Sequence, residues 1–258
     1  GAQVWGAGVS KSGWQDIEKI QKLFLEMELG VRSQTPYALT LAEAGLLPLE
    51  GEALFQTLKY IMRVRELEGD RLPFQAMRSS SAKGWYADVC LWAHAWDFPE
   101  HQWPSDPKKL RFALEQKIVH KCWHDPSPRL QYYMRDVNPM SKYGEQEYLS
   151  RDISVQLRHI IACYRLSSHH LEVEQGRWKG IERKNRLCQL CDSSSIENEY
   201  HVFIACKFYE DVRVASQILV KDLYALFRLP PEQLGRFILA IHRYRLDGLR
   251  YLEVSLGP

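Results

Sequence analysis

A mostly α-helical chain is predicted, on three observations. Apolar residues recur at three- and four-residue spacing in successive windows, proline and glycine fall between those windows, and strand-like alternation is confined to short stretches. With 258 residues, 45% hydrophobic and 12% aromatic, the chain can fill a real core, and a net charge of +2 leaves any basic surface to be found locally.

The first helix is predicted over 14–29, "WQDIEKIQKLFLEMEL", with Ile17, Ile20, Phe24 and Met27 as its buried face and Gly30 as its C′ residue. Pro36 and Pro48 break the next stretch. A second helix follows from about 51 to 68, turning Leu54, Leu58, Ile61 and Met62 to a core. In "GWYADVCLWAHAWDFPEHQW" the tryptophans at 85, 92, 96 and 103 read as core packing on a helix that ends before Pro99. Its "YADV" lacks the adjacent carboxylates that two catalytic cations need, so Asp88 reads as an ordinary helix residue.

A helix is predicted again over 108–124, before a tyrosine-rich segment. From Arg151 another begins, with Ile153, Leu157, Ile160, Ile161 and Tyr164 as an apolar stripe and Arg151, Arg158 and Arg165 repeating every seven residues on a cationic face. Basic residues continue as Arg177, Lys179, Arg183, Lys184 and Arg186. Between 151 and 187 eight Arg or Lys stand against four acids, a surface suited to phosphates. Glu172 and Glu174, alternating with Leu171 and Val173, read as a short amphipathic strand, and they lack the third acid that a magnesium site would need. Helical patterning resumes from 207 to about 227, breaks at "LPPEQ" and closes with "LGRFILAIHRYRL".

Directly after the basic run, "CQLCDSSSIENEYHVFIAC" places Cys188, Cys191, His201 and Cys206 within nineteen residues. The two-residue gap aims both sulfurs of the first pair at one point, and the polar, turn-forming intervening segment lets the second pair fold back. Three thiolates and one imidazole make a closed tetrahedral shell, the pattern of a structural zinc ion with no open position for hydrolysis. The expected fold is thus a helical array followed by a basic helix and a small Cys-Cys-His-Cys zinc knuckle with a short hairpin.

Neither a serine nucleophile elbow nor a glycine-rich phosphate loop occurs, and no apolar run approaches the roughly 18 residues of a spanning helix. We expect a nuclear or cytoplasmic protein that keeps its thiols reduced. The opening "GAQVWGAG", without methionine, is expected to continue from a longer polypeptide.

In order, "IEKIQKLFLEMELGV", "TPYALTLAEAGLLPL", "LKYIMRVREL", "QLRHIIACYRLSSHHLEVEQGRW", "RLCQLCDSSSIENEYHVFIACKFYEDVR" and "GRFILAIHRYR" resemble the carboxy-terminal part of non-LTR, LINE-type retrotransposon reverse transcriptases. The resemblance spans nearly the whole chain and is most specific at the arginine helix, "EQGRW" and the cysteine–histidine segment. It implies thumb-like and connecting helices over 1–106, a middle helical segment over 107–149, and the basic helix, knuckle and closing helices over 150–258. Cys188, Cys191, His201 and Cys206 match the family's knuckle ligands, and Arg158, Arg165, His169 and Arg177 match basic positions before it. The implied role is to hold template RNA or target DNA during target-primed reverse transcription, beside an upstream polymerase domain of the same polypeptide. The palm aspartates that bind magnesium have no counterpart here, so magnesium is expected only in that upstream domain and no catalytic residue in this chain. The competing expectation is a host-adopted, zinc-stabilised module that binds protein.

Overall fold

A computed structural model describes residues 1–123, 127–139, 144–150 and 152–256. The described residues are mostly helical and contain no strand. In chain order the helices are α1 (Ala2–Trp5), α2 (Lys11–Leu29), α3 (Tyr37–Ala44), α4 (Leu49–Arg65), α5 (Leu72–Ser79), α6 (Trp85–Ala95) and α7 (Pro107–Trp123). There follow α8 (Pro128–Tyr132), α9 (Glu147–Ser150), α10 (Val155–Arg165), α11 (Glu172–Trp178), α12 (Glu210–Ala215), α13 (Leu223–Leu226) and α14 (Pro231–Leu256).

The chain divides into two compact units, Gly1–Phe24 with Gly45–Asp125, and Leu25–Ala44 with Pro126–Pro258. This differs from the three consecutive segments expected. Helix α7 joins the first unit because Leu110 and Leu114, both fully buried, complete the core that α4 and α6 begin.

The first unit is built around α4. Leu54, Leu58 and Ile61 turn inward from it as the sequence implied, together with Val64, while Met62 is partly buried against the same cluster. Trp85, Trp92, Trp96 and Trp103 all pack on this core, which agrees with the packing role expected of them. Trp92 also stacks on Trp14, 5.7 Å between ring centroids at 12°, and Trp14 on Trp5. Asp88 sits exposed in the first turn of α6, an ordinary helix position.

Helix α2 exists, but the face assigned to it does not hold. Trp14, Leu25 and Leu29 are buried, whereas Ile20, Leu23, Phe24 and Met27 are 57–69% exposed. The helix carries two apolar stripes, and tertiary packing took the other one. Gly30 ends α2 in the left-handed conformation, φ +62°, as a C′ residue should. A Cβ there would lie 2.4 Å from the His159 ring. Gly30→Ala is therefore expected to destabilise the protein by about 2 kcal/mol, from the left-handed backbone and the clash together. A urea midpoint unchanged from the parent would refute it.

The second unit rests on α10 packed along α14. Leu157, Ile161 and Tyr164 of α10 meet Leu234, Phe237, Ile238 and Ile241 in the buried set, and Gly235 allows the close approach, since a Cβ would come within 3.0 Å of Leu157. Helix α10 starts at Val155 with the Ser154 side chain as its cap, later than Arg151. The stretch 171–178, expected as a strand, is helical from Glu172. The Glu197 side chain accepts from the Glu172 amide at 2.8 Å, and the Glu197 carbonyl from the Val173 amide at 3.1 Å, so the first turn is capped from outside.

Among the described residues, three arginine–carboxylate pairs are buried in this unit. Glu43 of α3 holds Arg165 and also accepts from the hydroxyls of Tyr133 at 2.7 Å and Tyr148 at 2.8 Å. Glu174 accepts from Arg129 at 2.7 Å, and Glu197 is held by both Arg245 nitrogens at 2.7 Å. Each leaves little of its hydrogen-bonding capacity unsatisfied, which is the condition under which buried charge is tolerated.

Candidate metal centre

The loop 186–209 is shaped by hydrogen bonds that the sequence supplies locally. Leu187 and Ile196 form one antiparallel bridge, flanked by the bonds from the Cys188 amide to the Ser195 carbonyl and from the Glu197 amide to the Arg186 carbonyl, both 2.9 Å. The expected hairpin is thus reduced to a single bridge, with no part of 171–178 in it. Asn198 then caps the next turn, its Oδ1 accepting from the His201 amide at 2.8 Å. Residues 201–205 wind as one wide π turn, closed by the Cys206 amide on the His201 carbonyl.

These turns bring the ligand atoms of Cys188, Cys191, His201 and Cys206 within 4.8 Å of one another. The Cys191 Sγ lies 3.4 Å from the His201 Nε2. A zinc ion with bonds of about 2.3 Å to sulfur and 2.0–2.1 Å to nitrogen spaces its ligands roughly 3.5–3.8 Å apart at the tetrahedral angle. The donor set and its spacing fit that shell, and no fifth position is open among these four. Cys188, His201 and Cys206 are buried and Cys191 is half-buried, so the cluster is shielded without being sealed.

Proton distribution in the cluster is uneven. The hydrogen bond with Cys206, then burial, pushes the Cys188 thiol up to about 12, while the same bond lowers Cys206 and the bond to Cys188 raises His201. A metal ion bound here takes the place of shared protons, so its affinity falls as pH falls. Support comes from behind: Arg213 donates to the Cys206 carbonyl at 2.6 Å, and Tyr209, fully buried, has a hydroxyl without a hydrogen bond among the described residues and within electrostatic reach of Cys188 and Cys206.

The basic residues expected beside this cluster are only partly at the surface. Arg151 lies outside the described residues, and Arg158 is half-buried. Arg165 is 4% exposed, turned into the core by Glu43 and also bonded to Gln146, which removes it from a cationic face. His169 is likewise buried: its Nε2 bonds Glu199 at 2.8 Å, and its Nδ1 accepts from the Leu171 amide. Both ring nitrogens are spent inside the protein, and neither residue is placed to touch a phosphate. Arg186 is half-buried and donates to the carbonyls of Val173 and Ile181, bracing the loop.

Arg177, Lys179, Arg183 and Lys184 are exposed on the segment from the end of α11 to the bridge. Arg177 is paired with Glu174 and Lys184 with Glu182, the latter wholly at the surface, where such a pair is worth less than about 1 kcal/mol. Trp178 carries the Arg32 guanidinium 3.9 Å above its ring, which occupies one face. Tyr200 is 49% exposed.

Sequence reasoning missed a second arginine row, on the last helix. Arg236, Arg243 and Arg250 repeat every seven residues along α14, all exposed, each preceding Phe237, Tyr244 or Tyr251. The same seven-residue count that drew attention to Arg151, Arg158 and Arg165 would have found them. Comparison with protein-family models, curated proteins and solved structures returned no match.

Proposed function

We propose that the chain is the non-catalytic, nucleic-acid-binding end of a non-LTR retrotransposon reverse transcriptase, holding template RNA or target DNA beside an upstream polymerase domain. The carrying observation is the joining of an exposed cationic segment, Arg177 to Lys184, to a closed Cys₃His cluster. The ion that fits this donor set is zinc, acting as a structural crosslink that would hold the cationic segment in place, and the exposed arginines of α14 add further positive charge to the same unit. The sequence resemblance gives that surface its place in the larger enzyme.

The test is binding of the zinc-loaded chain to single-stranded RNA and DNA across a salt series. With Lys179, Arg183 and Lys184 replaced by alanine, the slope of log affinity against log salt is expected to shrink by about 2, at roughly 0.7 for each phosphate of a single strand that is no longer neutralised. Affinity that is absent, or indifferent to salt, would end this reading.

A module that binds protein instead is favoured by one observation, the exposed stripe of Ile20, Leu23, Phe24 and Met27 on α2. It requires that neither RNA nor DNA bind at any salt concentration.

A further inference from the structure

A cleft of about 450 Å³ opens between the Cys188–Cys191 turn and one face of α14. Tyr244, Asp247 and Tyr251 line it from the helix at i, i+3 and i+7, Leu190 and Asp192 from the turn, and Phe208 from the residues after Cys206. Phe208 and Tyr244 stand 4.9 Å apart between ring centroids. Gly248 lets this wall form, because a Cβ there would lie 2.6 Å from Phe208 and 3.0 Å from Leu190. Tyr251 is 73% exposed and Tyr244 37%, so aromatic surface faces solvent at the mouth.

Two chemistries meet here. Flat aromatic faces stack on bases, at a gain of about ten- to a hundredfold in affinity per base. Of the polar side chains that line it, Asp192 and Asp247 are carboxylates, which only accept hydrogen bonds and repel phosphate, while Gln189 both donates and accepts, so the two acids favour an edge that donates. Guanine offers a carboxylate two parallel donors, N1–H and N2–H, on its Watson–Crick edge, and that edge is free only when the base is unpaired. Arg243 and Arg250 lie one residue before Tyr244 and Tyr251, about 100° round the helix, and are exposed. The Arg250–Asp247 pair, 3.4 Å and exposed on both sides, gives way at little cost.

We propose that this cleft receives one unpaired guanine of a single strand. The inference rests on the nucleic-acid reading above and adds to it a base preference and a place. Its test uses the whole zinc-loaded chain and fluorescein-labelled RNA octamers: uniform U₈, U₈ with one central guanosine, and the same with inosine or an abasic site at that position. One guanosine is expected to tighten binding about tenfold over U₈, inosine to keep part of that gain, and the abasic strand none.

Tyr251→Ala, at an exposed position outside the core, should erase the guanosine advantage, and it should weaken U₈ by less than it weakens the guanosine strand, because uracil stacks on the same ring. Asp247→Asn should retain stacking and lose the preference for guanosine over inosine. Equal binding of U₈ and the guanosine strand by the parent chain, or an undiminished advantage in Tyr251→Ala, overturns the cleft and leaves the basic surface standing. Failure of every strand to bind overturns both.

Discussion

Replacing Cys188 and Cys191 together by serine is expected to strip the metal and unfold the 186–209 loop, with the packing of α14 following. Structural zinc contributes about 10–16 kcal/mol of apparent binding free energy at neutral pH. That matches or exceeds the whole stability of an ordinary domain, about 5–15 kcal/mol. Metal content per chain should fall from one zinc to none, and limited proteolysis should open the loop. A strong chelator should reproduce both effects on the parent protein. An identical melting temperature with and without chelator would show that the cluster is an incidental gathering of thiols, and the reading of the loop as a metal-held element would go with it.

Glu43→Ala is the second large effect. Its carboxylate neutralises Arg165 and accepts from two buried tyrosine hydroxyls, so its removal strands a charge and two polar groups away from water. Breaking one side of a buried ion pair costs about 3–5 kcal/mol. The partly exposed pair of Arg65 with Glu100 provides the contrast: Glu100 also accepts from the Tyr86 hydroxyl at 2.6 Å, but Arg65 remains as a partner of that hydroxyl, so Glu100→Ala should cost only about 1–2 kcal/mol. Urea unfolding of the metal-loaded chain measures both. A loss at Glu43 no larger than that at Glu100 would mean that solvent reaches Arg165 and that its burial carries no energetic weight.

What could be read in advance follows from how local the determinants are. The four ligands were legible because a two-residue gap and a turn-rich insert fix their meeting within nineteen residues. The tryptophan cluster and the buried face of α4 were legible for a similar reason, one strong apolar stripe with no rival. Helix α2 has a rival stripe, and nothing within its own span decides between Trp14, Leu25 and Leu29 on one side and Ile20, Phe24 and Met27 on the other.

The heptad spacing of Arg158 and Arg165 correctly implies a shared face, yet the partner that buries Arg165 stands 122 residues earlier in the chain. His169 is the same case, fixed by Glu199. The segment 171–178 alternates over only four residues, and its helical start is capped by Glu197, a signal that does not lie in the segment at all. Sequence periodicity reports faces; it does not report which distant residue claims them.

Glu197 sits between the two ligand pairs, and its carboxylate is fastened to Arg245 near the middle of the last helix. The ligand-bearing loop is therefore not autonomous in the way a small zinc finger is. A peptide cut to residues 186–209 would carry all four ligands and yet expose an unbalanced carboxylate where the folded protein has a buried pair, and its metal affinity would reflect that deficit. The loop and the helix that anchors it form one structural unit, so any fragment designed for solution work should run through α14.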